Sequence, residues 1–197
     1  MSDWIWIVAG ILFIVIGPLI GCILAGIDRK IAARMQSRKG PPVLQPWYDV
    51  KKFLAKEQVT PNKVQDFYVM VFLLFTIVTG VLFFTGQDLL LIIFTLTLSE
   101  TFLVLAAYSS GSVYAQIGAQ RELYVAMAYE PIILLMAICY YLETGSFSVA
   151  DIAESGSMAF VPLLGVFLAF LFGLTMKLRK SPFDLSLSHH AHQDIVR

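Results

Sequence analysis

Five uninterrupted apolar stretches, at residues 4–27, 67–86, 88–108, 123–142 and 158–178, constrain this chain more than any other feature. Each has about twenty residues, and at about 1.5 Å per residue a helix of that length crosses a hydrocarbon core of about 30 Å. Lipid offers no water to backbone N–H and C=O groups, so a spanning run of this kind must satisfy them within a helix. The reading is an all-α, polytopic membrane protein with five transmembrane helices in a single membrane domain, 1–197. Composition agrees, with 58% hydrophobic and 14% charged residues, outside the range of ordinary soluble domains. The first run is expected to stay as a helix, because Asp3 is the only charge before it and its length exceeds that of a signal-peptide core.

Net charge is zero, yet its distribution is one-sided. With the loops numbered alternately, all fourteen Lys and Arg fall on one side, nine of them between Arg29 and Lys63. The other side carries Asp3, Asp88, Glu143, Asp151 and Glu154. The positive-inside rule then puts the N-terminus outside and the C-terminus in the cytoplasm, a parity that five spans satisfy. The location implied is the cytoplasmic (inner) cell membrane. "FFTGQDLL" joins the second and third spans as a tight hairpin.

Loop 28–66 is longer than joining two spans requires. Its first half is basic and ends in Gly40-Pro41-Pro42, which forbids continued helix. From Trp47 to Glu57 the apolar residues Trp47, Val50, Phe53 and Leu54 recur at helical spacing among charged ones, the pattern of an amphipathic helix in the membrane interface. Such a helix is either a membrane anchor or a docking platform for a soluble partner. The tail, 179–197, is read as cytoplasmic.

Three carboxylates are embedded in the apolar runs. An ionised side chain at the bilayer centre costs about 2.5–3.5 kcal/mol, so such residues face a protein interior or a water cavity. Glu100 is placed near mid-membrane in the third run; Glu122 opens the fourth; Glu130 lies eight residues further, within about 80° around the helix axis. Pro131 follows directly and removes the amide partner of the Met127 carbonyl. Glu130, Glu122 and Glu100 are therefore candidates for a proton pathway, the alternative being hydrogen-bonded carboxylates with a packing role. Arg121 either holds a carboxylate or snorkels to the interface. Cys22 and Cys139 stand alone in apolar runs, which excludes a Cys-x-x-C metal site or a Cys-rich iron–sulfur framework in this chain.

Three motifs carry a family resemblance. "LQPWYDVKKFLAKE" (44–57) resembles the first cytoplasmic loop of the membrane subunit shared by respiratory complex I and membrane-bound nickel–iron hydrogenases, with Gln45, Pro46, Asp49, Lys52, Lys56 and Glu57 in register. "YSSGSVYAQIGAQRELYVAMAYE" (108–130) is similar to the next signature, and "SPFDL" (181–185) to the one after the fifth helix. The resemblance implies a subunit without redox centres that ties a peripheral electron-transfer arm to antiporter-like membrane subunits, with Glu130 in a line of acids. Gln45, Asp49, Lys52, Lys56, Glu57, Arg121 and Asp184 then belong to the partner interface.

Three departures resemble the hydrogenase branch: Pro131 after Glu130, Glu122-Leu123 after Arg121, and "SHHAHQ" in place of a glutamate-rich run. They imply a ferredoxin-dependent energy-converting hydrogenase pumping protons or sodium. Its partners would be large and small hydrogenase subunits, an iron–sulfur subunit and an antiporter-like subunit. The nickel–iron centre and iron–sulfur clusters would sit in those partners, and nucleic acid is not expected among them. The alternative is the quinone-chamber subunit of a complex I. A free-standing ion transporter is disfavoured by the one-sided loop and the absence of inverted repeats. His189, His190 and His192 are assigned to the partner interface or to proton donation rather than to metal, because only His189 and His192 share a helix face. The family subunit typically continues to eight helices, so the resemblance implies that the sequence is either the N-terminal part of such a subunit or a shortened form of it.

Overall fold

The computed structural model describes residues 3–57, 62–154 and 163–178. These are helical apart from connecting turns and one antiparallel bridge pairing Asp88 with Ser148. Two compact units divide the chain, Ser2–Thr60 and Pro61–Arg197.

In the first unit, α1 runs over Asp3–Met35. It outlasts the expected span, 4–27, because Arg, Lys, Ala and Met beyond the apolar run are strong helix formers. Pro18 lies within the continuous helix. The helix stops where Ser37 adopts φ 56° and Arg38 N–H donates to the Ala33 carbonyl at 2.8 Å, a Schellman turn. The following loop folds back along α1 so closely that a Cβ on Gly26 would lie 1.8 Å from the Val43 carbonyl oxygen. Helix α2, Gln45–Leu54, follows with Pro46 in its first turn, slightly earlier than the expected Trp47–Glu57.

The second unit contains α3 (Lys63–Phe84), α4 (Leu89–Ser109), α5 (Val113–Thr144), α6 (Val149–Glu154) and α7 (Leu164–Lys177). Among the described residues four helices, α1, α3, α4 and α5, are long and apolar enough to cross a membrane. As described, α7 has 14 residues, or about 21 Å. The fifth run was expected from 158, and 158–162 lie outside the described residues. Helix α6 has no counterpart in the sequence reading. A larger difference concerns α5, which begins at Val113 rather than near 123. Arg121 and Glu122 thus stand inside a helix, not at its start. The expected span, 123–142, was bounded by apolarity, which "SVYAQIGAQRE" interrupts, whereas helix formation needs no apolar continuity.

Hydroxyl groups hold α3 against α4. The Ser99 hydroxyl, 1% exposed, pairs with Thr76 Oγ1 at 2.7 Å, and Thr79 Oγ1 meets Thr95 Oγ1 at 3.1 Å. Phe75 stacks on Phe102 with ring centroids 5.6 Å apart. Small polar residues of this kind act as glue between helices in lipid, where apolar burial supplies little driving force. Large side chains such as Phe67, Met70 and Leu142 point outward instead.

The expected hairpin forms with Gly86 at φ 74° as the left-handed cap of α3. It is clamped to the link after α5: Leu89 N–H donates to the Phe147 carbonyl at 2.8 Å and Val149 N–H to the Gln87 carbonyl at 3.1 Å. At the opposite end Asn62 caps α3 by accepting from Val64 N–H, while its Nδ2 donates to the Ser109 carbonyl at 3.1 Å. Helix α7 packs on α5, Gly173 admitting Ile132 at van der Waals distance.

Candidate functional site: an ion-paired carboxylate among three helices

Helix α4 supplies Glu100, α5 supplies Tyr129, and α7 supplies Lys177. The Tyr129 hydroxyl donates to Oε2 of Glu100, and Lys177 Nζ donates to Oε1. Lys177 Nζ also lies 3.2 Å from the Tyr129 hydroxyl and 4.7 Å from the centre of its ring. Tyr129 is 1% exposed, and the Glu100 and Lys177 side chains are 16% and 18% exposed. Both carboxylate oxygens thus have donors, and a cation offsets the charge.

Helix geometry explains the reach of Lys177. Each Cα–Cβ bond tilts toward the N-terminus of its helix. Lys177 is the last residue of α7, so its chain runs back along that helix to Glu100 instead of outward. Counting it among the cytoplasmic edge charges missed this. Tyr129 was also missed as a site residue, although a tyrosine inside an apolar helix needs a partner for its hydroxyl.

The other two acids lie nearby. Glu130 is half-buried and within electrostatic range of Glu100 and Lys177. Glu100, Glu122 and Glu130 all lie close enough to Tyr129 for their charges to act on it. The three acids singled out in the sequence therefore all lie within electrostatic range of one tyrosine, and Glu100 alone among them has a hydrogen bond to it. Glu122 also lines a cavity of about 340 Å³ among α3, α4 and α5. Arg121 is half-buried beside it on α5.

The proposed interface residues in loop 28–66 sit in the first unit. Asp49 accepts from Gln45 Nε2 at 3.1 Å and pairs with Arg29 Nη1 at 3.2 Å. Lys51 lies over the Trp47 ring and Lys56 over Phe53. Lys52, Lys56 and Glu57 are exposed. Asp184, His189, His190 and His192 lie outside the described residues. Among the described residues no group of three or more His, Cys, Asp or Glu side chains could hold a metal ion.

The sequence pattern of the NADH dehydrogenase family matches residues 7–197. The chain belongs to that family. It is 29% identical over 187 residues to hydrogenase-4 component C of Escherichia coli (strain K12), covering 87% of this chain and 59% of that protein. Formate hydrogenlyase subunit 4 of the same organism is 28% identical, with 87% and 61% covered. NADH-ubiquinone oxidoreductase chain 1 of Metridium senile is 33% identical, with 93% and 62% covered. A chain from the membrane-bound sulfane sulfur reductase, an archaeal respiratory membrane complex, superposes with a TM-score of 0.82 at 30% identity, covering 94% of this chain and 66% of that one. The chain thus spans about 60% of the length of these curated relatives. Hydrogenase and complex I subunits both appear among them, as the motifs at 44–57 and 108–130 implied.

Proposed function

We propose that this NADH dehydrogenase family chain is a redox-centre-free membrane subunit of an energy-converting oxidoreductase complex, linking a peripheral redox arm to an ion-translocating membrane arm. The observation that carries this reading is Glu100, held by Tyr129 and Lys177 between membrane helices with Glu122 and Glu130 close by. Protonation of Glu100 would release Lys177, and the lysine is already in range of Glu130. One proton or counter-ion shift at this cluster therefore alters the charge balance of three helices at once, whether the translocated ion is a proton or sodium.

Within this reading the complex is a ferredoxin-dependent hydrogenase. Large and small hydrogenase subunits and an iron–sulfur subunit carry the metal centres, and an antiporter-like subunit stands beside this one in the inner cell membrane. Five spans, an outside N-terminus and a cytoplasmic C-terminus complete it. The relatives named for hydrogenase-4 and formate hydrogenlyase support that branch. The relatives named for NADH-ubiquinone oxidoreductase support the second reading, a quinone-chamber subunit of complex I. Hydrogen evolution from reduced ferredoxin by the complex that co-purifies with this chain tests the branch: quinone reduction without hydrogen would move it to complex I. Glu130→Gln in that complex should leave hydrogen chemistry running while ion transport falls; unchanged transport would reduce the chain to an anchor.

A further inference from the structure

Helix α1 continues past its apolar run, which extends from residue 4 to residue 27. A helix of that length rises about 36 Å, already more than a hydrocarbon core of about 30 Å. The turns that follow, residues 28–35, therefore stand at the level of the lipid headgroups. Ile27, Lys30, Ile31 and Arg34 fall three and four residues apart, on one face. Together they line a groove of about 240 Å³. Each cation has an isoleucine three residues before it, on the side toward the hydrocarbon. Both isoleucines are exposed. The Cα–Cβ bonds of Lys30 and Arg34 tilt toward the helix N-terminus, so both side chains lean back toward the bilayer.

The surroundings leave these two cations for a partner outside the chain. Arg29, next to Lys30, is taken by Asp49, the one carboxylate of α2. Among the described residues Lys30 and Arg34 form no ion pair. Asp28 lies about 160° around the axis from Lys30 and about 120° from Arg34, on another face. The stem of Lys30 is held by the returning loop: a Cβ on Gly40 would lie 3.1 Å from Lys30 Cα and 3.6 Å from its Cγ. One cation of the pair thus has its backbone and stem fixed at the groove before any ligand arrives.

We propose that this groove binds the headgroup of an anionic phospholipid, with Lys30 and Arg34 holding the phosphate oxygens and Ile27 and Ile31 packing against the start of its acyl chains. Two cations at headgroup depth complement a lipid of net negative charge. A zwitterionic lipid brings its own cation to the same place and is disfavoured. The site lies wholly within the first unit. It requires α1 to cross the bilayer and nothing of the ion-coupling reading.

Two experiments on the full chain test it. In the first, Trp4, Trp6 and Trp47 are replaced by Phe, Ile31→Trp is introduced as a reporter, and the chain is reconstituted in phosphatidylcholine vesicles. Acyl-brominated phosphatidylglycerol should quench the reporter at a mole fraction on the order of tenfold lower than acyl-brominated phosphatidylcholine. Lys30→Gln with Arg34→Gln should bring the two lipids together, whereas Lys51→Gln with Lys63→Gln, which removes two charges that do not line the groove, should keep the preference. Equal quenching by both lipids before any charge is removed would overturn the proposal. So would a preference that survives Lys30→Gln with Arg34→Gln, which would mark a diffuse surface field, or no quenching by either lipid, which would mean that protein covers the groove. In the second, the unsubstituted chain is extracted from an equimolar mixture of the two lipids and weighed by native mass spectrometry. It should retain phosphatidylglycerol in preference, and Lys30→Gln with Arg34→Gln should lose that adduct. Equal retention of both lipids by the unsubstituted chain would refute the site even if the reporter variant failed to fold.

Discussion

Replacing Lys177 by Met keeps most of the side-chain volume and removes the charge, leaving Glu100 with the Tyr129 hydroxyl alone. Removing one partner of a buried ion pair costs about 3–5 kcal/mol, because the remaining charge keeps its desolvation cost without compensation. The Glu100 and Lys177 side chains retain 16% and 18% exposure, which lets some water reach the survivor and puts the expected loss near the lower limit, at about 3 kcal/mol. For a chain of this size that corresponds to a fall of about 6–12 °C in Tm. Thermal unfolding of the detergent-purified protein, followed by loss of the monodisperse peak, measures it. The double variant Glu100→Gln with Lys177→Met supplies the decisive comparison. A neutral amide can still accept from Tyr129, so the pair of changes should recover most of the loss. A drop under about 2 °C in Lys177→Met, with no recovery in the double variant, would show that the contact carries no linked charge energy. Glu100 and Lys177 would then not act as a coupled ion pair.

Three further expectations concern the scaffold. Gly26→Ala places a Cβ 1.8 Å from the Val43 carbonyl oxygen, a backbone atom that cannot turn aside; the displacement should cost about 1–3 kcal/mol and speed tryptic cleavage at Arg38 and Lys39, and unchanged cleavage would mean the loop does not pack as described. Ser99→Ala removes the 2.7 Å contact with Thr76 and should lower stability by about 0.6 kcal/mol, not more than about 1.7, in the same thermal assay. Asp49→Asn breaks an ion pair with Arg29 whose partners are 55% and 36% exposed, so stability should change by less than about 1 kcal/mol; any effect on assembly with a soluble arm would then report interface, not folding.

The helices were legible because lipid demands continuous apolar runs, and a period-independent signal of about twenty residues survives without tertiary context. Boundaries were less legible where a helix continues past its apolar run. The extension of α1 to Met35 and the start of α5 at Val113 depend on helix propensity and capping, which apolarity does not register. The three acids could be named from the cost of burying charge. Their arrangement could not, because Glu100, Tyr129 and Lys177 come from three helices and meet only through packing. Lys177 illustrates the gap: as a residue at the end of an apolar run it reads as an interfacial cation, and only the packing of α7 on α5, with the Cβ tilt directing the chain back along the helix, brings it to Glu100 on α4.

That cluster also bears on the choice between a structural and an ion-handling role. A buried ion pair is a poor way to stabilise helix packing, since apolar residues of the same volume are often as stable or more so. The same unit shows the cheaper solution at Thr76–Ser99 and Thr79–Thr95, where neutral hydroxyls join α3 to α4. A chain built only to anchor could have joined α4, α5 and α7 in that way. It places a carboxylate, a phenol and an ammonium there instead, with two further carboxylates near enough to feel them. Every charge added beyond the first pair makes the packing more sensitive to protonation and no stronger. A transmembrane site that is sensitive in this way suits a subunit whose role is to convert redox-driven changes in charge into movement of ions.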